Sequence, residues 1–367
     1  MAASSSAFVL LGLGFNGFGQ LDGSQDNKPA GEIVVTAPKQ LLISSQSSFQ
    51  VSISWDSIHV SAEEDKSGSM TGGRWSKVIK SAQSKLGERV IKVDTETKQG
   101  MILRTRSHTY VVRQQDSELR ITEIQDDKAQ LTFGVLSDGT MYALTQSGVI
   151  HLVTMATTGA ESTNESSTLQ FGPALPIPDK FPVAQMTCGS DHVLAVSQRG
   201  DLFSFGLNSR GQLGLGDILP RSQPTLVKAL AGIRTVSIAC GDWHSLVLSE
   251  FGDVYAWGWN EHGQLGHSPG SPVVAVPTLI ELRSEDQDDV NFVSIGCGER
   301  HSVAVSEGGG VYTWGWNQYG QLGRSTDEDV ARKPQVMDSG MKTVCVYCGH
   351  WNTLLVAQST GHEYRYS

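Results

Sequence analysis

Short apolar runs, separated by glycine and polar turns, govern the C-terminal half of this chain. "HSLVLS" (His244 to Ser249) and "DVYAWGW" (Asp253 to Trp259) are examples. Each is too short for a stable helix and is bounded by turn residues, so each predicts a β-strand. Trp257 and Trp259 stand two apart, which places both on one side of a strand with Gly258 on the other. The pattern weakens toward the N-terminus but persists. "VSISWDSIHV" (Val51 to Val60) echoes "VSIACGDWHS" (Val236 to Ser245). "GMILRTRSHTYVV" (Gly100 to Val112) predicts a strand pair, and "FGVLSDGTMYAL" (Phe133 to Leu144) predicts a hairpin on an Asp-Gly turn. Polar stretches predict loops at 61–69, 155–170 and 281–289, the middle one flexible.

These strands belong to a repeat. "CGSDHVLAVSQRGDLFSFGLNSRGQLGLG" begins at Cys188, "CGDWHSLVLSEFGDVYAWGWNEHGQLGH" at Cys240 and "CGERHSVAVSEGGGVYTWGWNQYGQLGR" at Cys297. A fourth copy, "CGHWNTLLVA", begins at Cys348 and stops halfway, and its missing half stands at the other end of the chain as "LGFNGFGQLD" (Leu13 to Asp22). Four short strands per unit of about 50 residues describe a propeller blade. Seven such units need about 350 residues, against 367 in the chain. The expected fold is therefore all-β: one seven-bladed β-propeller spanning 1–367, closed by N- and C-terminal strands that share one blade. Clear repeats cover 183–358 plus 8–22, and degenerate blades cover 23–180. Sharing a blade between the termini removes an open sheet edge.

Composition narrows the function classes. The chain has 40 glycines in 367 residues, which fits many tight turns. The net charge of −10 and the lack of a long basic run disfavour direct binding to a phosphate backbone. Five cysteines in a chain this long fit reduced thiols of the cytosol or nucleus, not a disulfide framework. "AFVLLGLGF" near the N-terminus lacks the basic flank of a signal peptide, and no apolar run is long enough to span a membrane.

The "GQLG" core, the "WGWN" before it and the "CGxxH" upstream together resemble the regulator-of-chromosome-condensation repeat family, whose fold is a seven-bladed propeller. WD repeats are shorter, and kelch repeats lack "GQLG". The truncated N-terminal copy, the degenerate first blades and the terminal "CGHWNT" resemble a short vertebrate member of that family most closely. That resemblance implies a protein of the nucleus and its chromosomes, with the cytoplasm as a second compartment. It also implies partnership with a Jumonji-type histone lysine demethylase, and a role in histone methylation control and chromosome segregation. The family's founding member is a nucleotide-exchange factor for a small nuclear GTPase, which makes exchange activity the alternative. The absence of a basic tail at "MAASSSAF" and the degenerate first blades count against carrying that activity over.

Comparison between copies separates architecture from candidate sites. A Cys-x-x-x-His pair in every blade (Cys188 and His192, Cys240 and His244, Cys297 and His301) invites a metal reading. Blades radiate outward, however, so ligands from four of them do not converge, and Asn352 replaces His in the fourth copy. His192, His244 and His301 are therefore expected to serve as structural hydrogen-bonding residues, with no metal and no cofactor. The paired slots Leu13 and Phe15, Phe205 and Leu207, Trp257 and Trp259, and Trp314 and Trp316 accept any apolar residue and predict packing. Gly211, Gly214, Gly263, Gly266, Gly320 and Gly323 flank Gln-Leu and predict positive φ or close backbone approach. No phosphate loop or nucleophile elbow is present, so no enzymatic activity is expected. The variable turn residues are the candidates for partner binding. Among them Trp243, Arg300, Tyr319 and Trp351 are the aromatic or Arg anchors such interfaces favour.

Overall fold

The computed structural model describes residues 8–15, 34–44, 49–53, 57–62, 70–73, 82, 84–86, 92–97, 100–104, 109–115, 118–124, 131–136, 140–158, 166–178, 181–267, 271–281, 290–324 and 329–358. Among the described residues the strands form seven antiparallel sheets, six with four strands and one with three.

The clear repeats each supply one sheet. Blade 4 comprises Val183–Cys188, His192–Ser197, Leu202–Gly206 and Arg221–Leu226. Blade 5 comprises Thr235–Cys240, His244–Ser249, Val254–Trp259 and Val273–Leu279. Blade 6 comprises Phe292–Cys297, His301–Ser306, Val311–Trp316 and Val330–Met337. The degenerate region supplies three more. Blade 1 has Phe49–Ile53, Ser57–Ala62 and Met70–Gly73. Blade 2 has Lys92–Thr97, Gly100–Arg104, Thr109–Gln115 and Glu118–Ile124. Blade 3 has Thr132–Val135, Met141–Leu144, Ile150–Thr158 and Ser166–Leu175.

Blade 7 is built from both ends of the chain: Lys342–Cys348 and Asn352–Gln358, then Phe8–Phe15 and Val34–Ser44. Phe8–Phe15 lies between its two neighbours, antiparallel to both, in a register that runs from Phe8 opposite Gln358 to Gly14 opposite Asn352. The first strands of successive blades adjoin in chain order, and Lys342–Cys348 of blade 7 adjoins Phe49–Ile53 of blade 1. The sheets thus follow one another around a ring with their first strands innermost.

This arrangement explains why the strands read as continuous apolar runs. The middle strands of blades 4 to 6 are covered on both faces by neighbouring sheets, so both of their sides are buried, whereas the first and fourth strands are partly exposed. All six residues of His192–Ser197 and all six of His244–Ser249 are buried. The core is divided into layers between blades. Leu194, Val196 and Leu202 of blade 4 pack on Val247 and Trp257 of blade 5. Leu246, Leu248 and Val254 of blade 5 pack on Phe292, Ile295 and Trp314 of blade 6. Val303, Val305 and Val311 of blade 6 pack on Leu355, Leu11 and Leu13 of blade 7, so the closing strand contributes core as well as hydrogen bonds. Each such side chain stabilises the fold by about 1.5–3 kcal/mol.

The structure narrows the loop expected at 155–170, whose middle residues 159–165 lie outside the described residues. Residues 155–158 and 166–170 are strand, paired from Met155 opposite Leu169 to Thr158 opposite Ser166. A run of Thr and Ser reads as a loop by polarity, yet β-branched Thr suits an extended ladder near a sheet edge. The stretches 63–69 and 282–289, and the Asp138-Gly139 turn, lie outside the described residues.

Candidate functional site

Two layers of side-chain contacts between blades can be separated by burial. The deeper is a hydrogen-bonded belt that recurs from blade to blade. In blade 4, His192 Nε2 is 2.9 Å from Ser245 Oγ of blade 5, and Ser245 in turn donates to the Gln212 carbonyl at 3.0 Å. Blade 5 repeats this with His244, Ser302 and the Gln264 carbonyl at 2.9 and 2.8 Å. Blade 6 repeats it with His301, Thr353 and the Gln321 carbonyl at 3.0 and 2.8 Å. Each hydroxyl spends its proton on the carbonyl, so it must accept from the imidazole. The histidines are therefore Nε2–H tautomers. Burial holds His192 down to about 4, and His244 and His301 to about 3. They are neutral struts between blades, fully buried, with Nε2–H committed to the next blade and the unprotonated Nδ1 of His192 and His301 enclosed without a hydrogen-bond partner. Trp257 Nε1 and Trp314 Nε1 add a second donor to the Gln212 and Gln264 carbonyls, at 2.8 Å each.

The glycines of this layer have a steric cause. Gly211, Gly214, Gly263, Gly266, Gly320 and Gly323 all sit at φ between 70° and 75°, the left-handed region that L side chains avoid. Gly189, Gly241 and Gly298 of "CGxxH" are constrained differently: a Cβ on Gly241 would lie 2.0 Å from His244 Cε1. The sequence reading passed over this second set. The preceding cysteines face the neighbouring blade, with Cys188 Sγ against Gly134 and Cys348 Sγ against Gly296. Burial pushes both thiols up to about 12, far from the thiolate that metal binding or redox chemistry requires. Among the described residues no group of three or more His, Cys, Asp or Glu side chains is placed to hold a metal ion. Likewise no helix is long and apolar enough to cross a membrane.

The shallower layer lies at the end of the blades where the "CGxxH" turns and the "GQLG" loops emerge. Trp243 and Trp259 meet edge to face, with centroids 5.3 Å apart. Trp259 meets His262 at 5.2 Å, and His262 meets Trp316 of the next blade at 6.1 Å. Trp316 meets Tyr319 at 5.3 Å, and Tyr319 meets Trp351 of blade 7 at 5.6 Å. The result is one aromatic row across blades 5, 6 and 7. Two arginines stack on it: Arg210 over Trp243 and Trp259 at 4.8 and 4.6 Å, and Arg300 over Trp259 and Trp316 at 5.6 and 5.3 Å. Acidic side chains hold the row in place. Trp243 Nε1 donates to Asp191 at 3.0 Å, Trp351 Nε1 donates to Glu299, and Arg300 Nε pairs with Glu299 at 2.9 Å. Burial raises the Asp242 carboxyl to about 6, with His350, 4.0 Å away, opposing the rise.

Trp243, Arg300, Tyr319 and Trp351, singled out as turn residues in three repeats, are thus brought into one row. Arg210, Trp259, His262 and Trp316 complete it. The apolar slots expected to pack alike divide in two. Leu13, Phe205, Trp257 and Trp314 are fully enclosed, whereas in the second slot Leu207 is 54% exposed, Trp316 is half-buried and Trp259 is buried under its neighbours at the blade end. The signal that could have found this was the position of the second slot, one step nearer the loop than the first.

This geometry presents an aromatic surface carrying two stacked arginines. At the surface Asp191 and Glu299 hold Trp243, Trp351 and Arg300 of the row, and in the deeper layer His192, His244 and His301 join blades. Comparison with known proteins agrees with the architecture. Over 216 residues the chain is 33% identical to mouse RCC1 domain-containing protein 1, a match that covers 50% of this chain and 57% of the relative. The crystal structure of human WBSCR16 superposes with a TM-score of 0.69 at 20% identity, over 97% of this chain and 99% of that one. Prp20p from Saccharomyces cerevisiae, described with its binding properties to Gsp1p and histones, superposes at 0.65 and 17% identity, over 98% and 93%. A family profile described as RCC1-like domain matches residues 14–355. The chain belongs to the RCC1-like domain family of β-propellers.

Proposed function

We propose that this propeller is a non-enzymatic docking module, and that the Trp243–Trp351 row is its partner-binding face. The observation that carries this reading is the row itself. Four turn residues from three blades converge on one surface, stacked by arginines and clamped by carboxylates. Aromatic and Arg side chains held rigid before binding lose little entropy on association, the usual property of interface hot spots. The resemblance of the repeats supports a nuclear, chromosome-associated role. It also supports a Jumonji-type histone lysine demethylase as the partner, with consequences for histone methylation and chromosome segregation.

Affinity purification from nuclear extract with the intact chain, Trp351→Ala and Arg300→Ala tests this directly, with captured proteins identified by mass spectrometry. The demethylase should co-purify with the intact chain and be depleted at least several-fold by either substitution. No capture, or capture indifferent to both substitutions, ends the reading. Exchange activity is the second reading, and it rests on the fold shared with Prp20p, which is described with Gsp1p. Accelerated nucleotide release from a small nuclear GTPase by the purified chain is its test.

A further inference from the structure

Arg210 stands apart from the other arginines of the docking face. Arg300 is tied to Glu299 and to the His262 ring. Arg221 pairs with Asp217 at 2.6 Å, and Arg332 donates to the Glu261 carbonyl at 3.2 Å. The Arg210 guanidinium has no carboxylate or carbonyl partner among the described residues. It rests instead in the corner between two indoles that stand at 83° to each other, 4.8 Å from the Trp243 centroid and 4.6 Å from that of Trp259.

That corner is rigid. Trp243 is fixed by its bond to Asp191, Trp259 is 7% exposed, and the Arg210 backbone N–H is held by Gln212 Oε1 at 2.9 Å. Stacking orients the plane of a guanidinium and leaves its N–H edge available. A planar fork presented this way matches a carboxylate, which it can engage through two parallel bonds. The acids nearby already have claimants: Asp217 has Arg221, Glu299 has Arg300, Asp242 faces His350, and Asp191 accepts from Trp243. An incoming carboxylate therefore meets an uncommitted cation. Leu207, 54% exposed, leaves the same "GQLG" loop with its N–H on the Asp191 carbonyl at 2.8 Å, which adds an apolar contact beside the charge.

The geometry points to Arg210 as the carboxylate-binding anchor of the docking face, and to an acidic linear segment of a protein partner, with an apolar residue near its acids, as the ligand. This rests on the docking reading above and specifies the partner's chemistry. Nucleic acid is the other polyanion to consider. It is disfavoured because a phosphate polymer meets the whole field of a chain with net charge −10, while a short peptide meets mainly the local cation.

Fluorescence polarisation on the full chain tests the inference. The probe is a fluorescein-labelled peptide of Asp, Glu, Leu and Gly, with its Asn/Gln counterpart, a Lys-rich peptide and a short DNA duplex as comparison arms. The acidic peptide should bind and the Asn/Gln peptide should not. Arg210→Gln should weaken binding about ten-fold or more. Arg210→Lys, which keeps the charge but loses the stacked fork, should also weaken it by several-fold. Arg199→Gln makes the same charge change at the opposite end of blade 4 and should alter binding less than about two-fold. Circular dichroism and melting curves confirm that each variant is folded. The inference is overturned if the folded chain ignores the acidic peptide, if Arg210→Gln binds it equally, if Arg199→Gln costs as much, or if the Lys-rich peptide or the DNA binds more tightly. If the peptide fails while Trp351→Ala still abolishes partner capture, the docking face stands and only its acidic ligand falls.

Discussion

Acidification should unfold this propeller through its buried histidines, and the structure sets the size of the effect. His192, His244 and His301 are neutral in the folded state, held to about 4, 3 and 3 by burial. In the unfolded chain each titrates near the ordinary value of about 6.5. Below that value the unfolded state binds more protons, so stability is complete above pH 6.5 and declines as pH falls toward the folded values. At pH 5.5 each unfolded imidazole is about nine-tenths protonated, which costs about 1.4 kcal/mol per histidine, or about 4 kcal/mol for three. Asp242 opposes this. Its folded value is raised to about 6, so it takes up a proton in the folded state first and returns about 1 kcal/mol at pH 5.5. The net loss between pH 7.5 and 5.5 is about 3 kcal/mol, or about 1 M in urea midpoint for a large domain. Asn already fills the slot at 352, where it is fully buried. The triple variant His192→Asn, His244→Asn, His301→Asn therefore replaces three titrating struts with a residue the fold accepts there. Urea unfolding followed by tryptophan fluorescence should show the pH increment in the parent chain and its loss in the variant. Equal midpoints for the parent at both pH values, or an undiminished increment in the variant, would refute the neutral-strut account. Burial also lowers His262 and His267, and what they contribute survives in the variant.

Two further outcomes probe the same belt. Ser302→Ala should cost about 1–3 kcal/mol in urea unfolding, because it strands the buried His244 N–H, whereas Ser302→Thr should be nearly neutral because Thr353 fills that place in blade 7. Gly241→Ala drives a methyl to 2.0 Å from the His244 ring at a backbone that is not left-handed, and should lower the melting temperature far more than Gly232→Ala, where a φ of 87° is the only obstacle because the Cβ would meet nothing within 4 Å; similar losses in the two would mean that the ring contact does not select glycine at 241.

The repeat made most of the architecture legible. A copy that stops after "CGHWNTLLVA" and a half-copy that opens the chain predict a shared blade, and Gly14 does lie opposite Asn352. The reason is physical: an open edge between the first and last blades would be costly, so the halves of a split unit must meet. The degenerate blades were legible only as isolated strand signals, since packing between flat faces accepts many apolar residues and leaves little fixed lettering. The ends of the 155–170 stretch, at 155–158 and 166–170, misled because side-chain polarity reports solvent exposure and not backbone pairing.

The candidate face divides the same way. Sequence alone identified which turn positions vary and which of them carry Trp, Tyr or Arg, because local alternation and repeat alignment are properties of the chain. It could not show that Trp243, Arg300, Tyr319 and Trp351 form a row, that Arg210 lies between two indoles, or that each histidine bonds to a hydroxyl some fifty residues onward. Those relations arise only when one blade is laid against the next. The rotation between neighbouring blades determines which side chains meet, and that rotation is set by packing over whole sheet faces, not by any short stretch of residues.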